Sequence, residues 1–178
     1  MADMPFHLHI GGREAKQGWT VLNAQPGPGV DIVGDLRDLS LFEDASVTQI
    51  YASHVLEHLA YSDEVLPALK GCHRILVPGG TLMLSVPDLD RICRLMIHDA
   101  ATVQVQYQLM RMLFGGQTDE WDYHKTGFTA ELLAGFLGNA GFDEVRRVDS
   151  FDLFDDTSNL TVGDVPVSLN VVAVKEVS

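Results

Sequence analysis

The sequence predicts an α/β domain built on a mostly parallel sheet, and three observations carry that expectation. Apolar runs of strand length alternate with segments of helical period along most of the chain. The stretch Val47–Leu59, VTQIYASHVLEHL, passes directly from a β-rich apolar run into Val55, Leu56 and Leu59 at helical spacing. TLMLSV, from Thr81 to Val86, is almost wholly apolar, as for a strand covered on both faces. Open parallel sheets keep their ligands outside the carboxyl ends of the strands, so the polar groups after Tyr51 are expected to line a site.

The elements follow in order. Phe6, Leu8 and Ile10 alternate with His7 and His9, and Gly11-Gly12 closes this first strand. His7 and His9 read as the solvated face of an edge-like strand. The second strand is WTVLN, Trp19–Asn23. The eight or so residues before it are too few for a helical crossover, so a loop or single turn is expected. VDIVGDL, Val30–Leu36, gives a third strand and Val47 opens the fourth. A helix capped by Ser62 or Asp63 carries Val65, Leu66, Leu69, Cys72, Ile75 and Leu76 and stops at Pro78-Gly79-Gly80. After Thr81–Val86, Asp88 or Asp90 caps a helix bearing Ile92, Leu95 and Met96. A further helix spans Val103 to Phe114. Thr129 caps the next one, which ends at Gly141. Glu144–Val148 and Val165–Val174 close the chain as strands, and their short link makes one of them antiparallel.

Composition excludes several classes. A chain of 178 residues is most simply one domain, 1–178. Its net charge of −13 repels phosphate backbones and argues against nucleic acid as a partner. No apolar run is long enough to span a bilayer, and the N-terminus lacks the pattern of a secretory signal. Cys72 and Cys93 lack metal-ligand spacing and read as buried thiols of a reducing compartment, so the expected location is cytoplasmic.

Several groups are candidates for chemistry. HVLEH, residues 54–58, spells H-x-x-E-H, in which two histidines on one helical face hold zinc and the glutamate is a general base. A zinc hydrolase through His54, Glu57 and His58 is therefore one reading, although His54 follows a strand rather than sitting mid-helix. Gly11 and Gly12 could admit a ligand close to the backbone. Asp35 can accept hydrogen bonds from an adenine amine or cap a turn. Asp149, Asp152, Asp155 and Asp156 read as a solvated acidic loop. Tyr123 and His124 lie in a loop long enough to cover a pocket, and His124 is a candidate general base.

Taken together, the glycine turn, the acidic residue after the third strand, YASHVLEHL and RILVPGGTLMLSVPD resemble class I S-adenosylmethionine-dependent methyltransferases, most closely the small type 11 group. The resemblance implies a Rossmann-like, mostly parallel sheet with an antiparallel strand near the C-terminus. It implies a cofactor, S-adenosylmethionine, with Gly11 and Gly12 beneath its methionine part and Asn23 facing the ribose. Asp35 and Leu36 would bracket the adenine, and Ser53 and His54 would flank the sulfonium. Substrate would enter over the loop of Tyr123 and His124. Positioning can supply much of the rate without a dedicated catalytic residue, and His54 and His124 are the candidates for a base where the acceptor, read as a small-molecule or glycan-like compound, must lose a proton. Two positions depart from the family. Arg13 stands where a further glycine is usual, and Asn23 stands where an acidic residue usually grips the ribose hydroxyls. An amide forgoes the charge-assisted bonds, which are roughly twice as strong as neutral ones. Those departures leave a second reading, a catalytically silent methyltransferase-like module that binds a partner protein or another nucleotide.

Overall fold

The computed structural model describes residues 6–177. Strands β1 (Phe6–Ile10), β2 (Trp19–Asn23), β3 (Ile32–Val33), β4 (Val47–Ser53), β5 (Leu76–Pro87), β6 (Glu144–Val148) and β9 (Ser168–Val174) form one sheet. Their order is β3-β2-β1-β4-β5-β9-β6, and a separate two-stranded ribbon joins β7 (Thr161–Val162) to β8 (Val165–Pro166). The first five strands pair in parallel, whereas β9 lies antiparallel between β5 and β6. Order reverses between β1 and β4, which places a topological switch point at their carboxyl ends.

Helices α1 (Val65–Ile75) and α4 (Ala130–Ala140) pack against each other on one face of the sheet. Leu8, Ile10, Ile50 and Leu82 meet Leu69, Cys72, Leu133 and Leu137 there, so the period-2 apolar positions of the strands face the period-3.6 stripes of the helices. Helices α2 (Leu89–Met96) and α3 (Val103–Phe114) pack together and bury Ile92, Leu109 and Val167 in a smaller cluster. Asp88, Thr102 and Thr129 each cap a helix by accepting a backbone N–H three residues on, as the sequence suggests for Asp88 and Thr129. Gly141 ends α4 at φ +103°, a conformation only glycine adopts cheaply.

The opposite face of the sheet departs from expectation. β1 has neighbours on both sides, so it is central, and His9 is only 4% exposed. Residues 11–18 form no helix, so the face is covered by the chain returning before β7: Phe154 stacks on His9 at 4.1 Å and packs on Tyr51 and Trp19. Asp156 is no solvated carboxylate. It accepts hydrogen bonds from Tyr51 Oη, Ser53 Oγ and the Ser158 N–H and anchors that return.

Three boundaries differ from the sequence reading. The third strand keeps only two ladder residues of the expected Val30–Leu36, because the Asp31 carboxylate takes the Val21 N–H that a regular ladder would give to a carbonyl. Helix α1 ends at Ile75, not at Pro78, since Leu76 already pairs with Val47. Val77 to Gly80 then form an irregular step in the ladder, with Gly79 at φ +77°. Neither Ser62 nor Asp63 caps α1; Glu64 is its N-cap and folds back to accept the Ala60 N–H. Cys72 is buried as expected, but Cys93 is exposed.

Candidate active site

Two clefts open at the carboxyl ends of the parallel strands. The first, about 550 Å³, lies over β1, β2 and β4, and Gly11, Asn23, Asp35 and Leu36 line it together with Arg37 and Trp121. Gly11 is required on two counts: φ is +80°, and a Cβ would sit 2.3 Å from Val55 Cγ2. Asn23 holds the turn that this glycine makes. Its Nδ2 donates to the carbonyls of Gly11 (2.9 Å) and Gly12 (3.0 Å), and its Oδ1 accepts the Gln25 N–H at 2.9 Å. The donor and acceptor ends are thereby assigned without ambiguity, since a carbonyl can only accept. An acidic residue could not make both of the first two bonds.

Asp35 follows β3 and binds its neighbour Arg37 through the backbone N–H (2.8 Å) and the guanidinium Nε (3.0 Å). Burial works to raise the Asp35 pKa, but these bonds outweigh it and hold the carboxyl below its usual range. Arg37 also reaches Glu64 at 3.0 Å and lies over the Trp121 ring, tying the floor of the cleft to the 115–125 loop that forms its far wall. Asp122 holds that loop by accepting from the backbone N–H groups of Gly116 and Thr118.

The second cleft, about 500 Å³, is lined by His54, His58, Arg111, His124 and Thr157, among others. His54 leaves β4 with φ +52°, a costly conformation for a residue with a Cβ, of order 1–3 kcal/mol. A single 3-10 turn, Leu56–His58, follows. The helical face that H-x-x-E-H needs is therefore not formed. His54 Nε2 meets Ser168 Oγ at 3.0 Å, while His58 points toward the 115–125 loop and bonds the Tyr123 carbonyl at 3.1 Å through Nδ1. His124 bonds the Met112 carbonyl through Nδ1 at 2.8 Å. Burial lowers its pKa, and the nearby Glu57 does not offset this, so the ring is neutral near pH 7 with Nε2 free. Glu57 is 1% exposed and sits beneath all three histidines.

Of the residues expected at a cofactor, Gly11, Asn23, Asp35 and Leu36 share the first cleft, and His54 lines the second with His124. Gly12 and Ser53 line neither. A Cβ on Gly12 would strike the His9 ring at 2.2 Å, and Ser53 Oγ bonds Asp156. Sequence reasoning left out His58, which lines both clefts, and Arg37, which occupies Asp35. His58 was visible within HVLEH, but only as half of a zinc motif.

A seven-stranded sheet in this order, with one antiparallel strand inserted next to the last and a cleft at the switch point, is the class I methyltransferase fold. The comparisons agree. Residues 14–84, from just after the glycine turn into β5, match the model of the Methyltransf_11 family, a methyltransferase domain, so the resemblance read from the sequence is borne out. A methyltransferase dependent on S-adenosylmethionine from Archaeoglobus fulgidus superposes with a TM-score of 0.63 at 16% identity, covering 98% of this chain and 87% of that one. The 1,6-didemethyltoxoflavin-N1-methyltransferase of Burkholderia thailandensis, solved with bound 1,6-didemethyltoxoflavin and S-adenosylhomocysteine, gives 0.58 at 15% identity, over 97% and 72%. A Bordetella parapertussis protein gives 0.60 at 14% identity over 97% of this chain, which spans only 63% of that protein's length. At these identities the likeness is one of fold. No curated protein sequence matches the chain significantly.

Proposed function

We propose that residues 1–178 act as one S-adenosylmethionine-dependent methyltransferase domain, with the cofactor in the first cleft and a small polar or glycan-like acceptor in the second. One observation carries the reading: in a methyltransferase fold, the two clefts share His58 and Asp122 at the switch point of the sheet. The first cleft fits the cofactor. Its volume is within the usual range for small-molecule sites. Gly11 lines the cleft with bare backbone, which a ligand can approach closely. Asp35 is an ionised acceptor beside the apolar Leu36 and Leu22.

When bound, S-adenosylmethionine supplies an electrophilic methyl group on a sulfonium. The chain's own part is to hold the acceptor atom in line and keep water out, and positioning of this kind supplies much of a rate enhancement. Asp35 and Leu36 orient the adenine end, and Gly11 passes beneath the methionine end. Asn23 acts through the turn it clamps, with one Oδ1 lone pair left for the ribose. The 115–125 loop closes the site over both ligands. His54 and His124 shape the acceptor side, and His124 Nε2 can receive a proton if the acceptor must lose one. The polar lining of the second cleft, with Gln108, Arg111 and Thr157, suits an acceptor bearing hydroxyl or amine groups. The negative net charge argues against a nucleic acid in that role, and two free cysteines suit the cytoplasm.

A binding module that transfers nothing is the rival, favoured by the engagement of Asn23 and Asp35 with the chain's own groups. Thermal shifts separate the outcomes. S-adenosylhomocysteine at a hundredfold over its Kd should raise Tm by roughly 5–10 °C, and Asp35→Ala should abolish most of that rise. No shift at any concentration overturns the proposal. A shift without product release across a panel of hydroxyl and amine acceptors selects the silent module.

A further inference from the structure

We propose that Glu57, His58 and His124 form a binding site for one divalent transition-metal ion of the zinc type at the base of the second cleft. One ligand atom from each of the three lies within 4.8 Å of the others. His58 and His124 are fixed in the tautomer that a metal requires. Each ring has its Nδ1 against a backbone carbonyl, Tyr123 and Met112 respectively, and a carbonyl can only accept. Nδ1 therefore carries the proton, which leaves the Nε2 lone pair free on both rings. A ligating histidine is usually held in this way, through the nitrogen not on the metal.

The second observation is the carboxylate itself. Glu57 is almost completely buried, yet neither of its oxygens accepts a hydrogen bond from any described residue. Burying a charge without a partner is expensive. Three imidazoles surround it. His124 Nε2 faces Glu57 Oε1 at 3.9 Å with its lone pair. His54 Nδ1 lies 3.2 Å from the same oxygen, outside hydrogen-bonding geometry. The Ser168 hydroxyl donates to the Thr157 carbonyl at 2.7 Å, so it accepts its 3.0 Å contact from His54 Nε2–H, which ties His54 to β9 rather than to the metal ligands. The Nε2 lone pairs of His58 and His124 and the unpartnered Glu57 carboxylate thus converge, and a cation among these three satisfies each of them.

The donor set, two imidazoles and a carboxylate, is one that zinc takes at sites with an open fourth position. Zinc bonds of 2.0–2.2 Å would draw the three donors together by about 1 Å from their present spacing. The open position faces the second cleft, which His58 and His124 line. Under the methyltransferase reading, the ion would hold the acceptor's oxygen or nitrogen there and His124 would be its ligand rather than a free base. The metal site itself stands or falls without that reading, because its test contains no S-adenosylmethionine.

Chelator-stripped protein would be titrated with Zn²⁺ against a chromophoric competitor, and Co²⁺ loading would be followed by visible absorption. One equivalent bound more tightly than micromolar is expected, with Co²⁺ bands of a four- or five-coordinate N/O site. His58→Ala and His124→Ala should each weaken binding at least a hundredfold, while His98→Ala, on an exposed turn, should leave it unchanged. Circular dichroism confirms that each variant is folded, and since His58 is at the cleft surface, its variant reports even if Glu57→Gln does not fold. Binding weaker than micromolar, a stoichiometry other than one, or affinity untouched by both histidine variants overturns the proposal.

Discussion

Restoring the acidic residue usual in class I methyltransferases at the end of the second strand should damage this protein rather than improve it. In Asn23→Asp an oxygen replaces the Nδ2 that donates to Gly11 O at 2.9 Å and to Gly12 O at 3.0 Å. Each lost bond costs about 1–1.5 kcal/mol in a site as buried as this. Like partial charges then face each other at contact distance, for about a further 1 kcal/mol. The total, about 3 kcal/mol, corresponds to a fall in Tm of roughly 6–12 °C for a domain of this size. Asn23→Ala loses the same two bonds but lets water approach the carbonyls, so the order of stability should be the parent, then Asn23→Ala, then Asn23→Asp. Protonating the new carboxyl returns one donor, so the deficit of the Asn23→Asp variant should shrink in acid. Thermal melts of the three proteins between pH 4 and 8 read this directly. An Asn23→Asp variant as stable as the parent, or one that binds cofactor more tightly, would refute the clamp.

Other expectations follow from the same geometry. Gly11→Ala should destabilise by about 1–3 kcal/mol through its positive φ, and Val55→Ala should recover only the part due to the 2.3 Å clash, as a double-mutant cycle of melting curves would show. Burial lowers the His9 pKa to about 4 despite the pull of Asp156. The unfolded chain therefore binds the extra proton first, and stability present above pH 6.5 is lost as pH falls toward 4, by about 3 kcal/mol at most. Urea melts over that window should lose this slope in His9→Leu. Phe154→Ala opens the aromatic cover over His9 and Tyr51 and should cost about 3 kcal/mol; the His9 pKa, followed by NMR, should move back toward its ordinary value.

Elements whose signals are local were legible in the sequence. β1 and β2 end in the glycine and asparagine that terminate them, and α3 and α4 carry a periodic stripe between a cap and a glycine. Boundaries decided by partners were not. Val30–Leu36 has strand composition, but as an edge strand β3 has only β2 to pair with, and Asp31 interrupts that ladder. Leu76 fits the stripe of α1 and the register of β4 equally well, and the pairing with Val47 decides. His9 looked solvated because nothing near it in sequence covers it; Phe154 arrives from 145 residues away. The lining of the first cleft was legible where it rests on glycine turns and strand-end polar residues. The histidine cluster was not, because His124 reaches Glu57 only through a loop whose path depends on Asp122 and on the backbone of Glu57, whose carbonyl accepts from Lys125 and Thr126.

The central claim is that the first cleft binds S-adenosylmethionine, and calorimetric titration of cofactor-free protein tests it most directly. One equivalent of S-adenosylmethionine or S-adenosylhomocysteine bound at micromolar Kd, weakened at least tenfold in Asp35→Ala, is the predicted result. No heat of binding with either compound at millimolar concentration, or binding indifferent to Asp35, would contradict it.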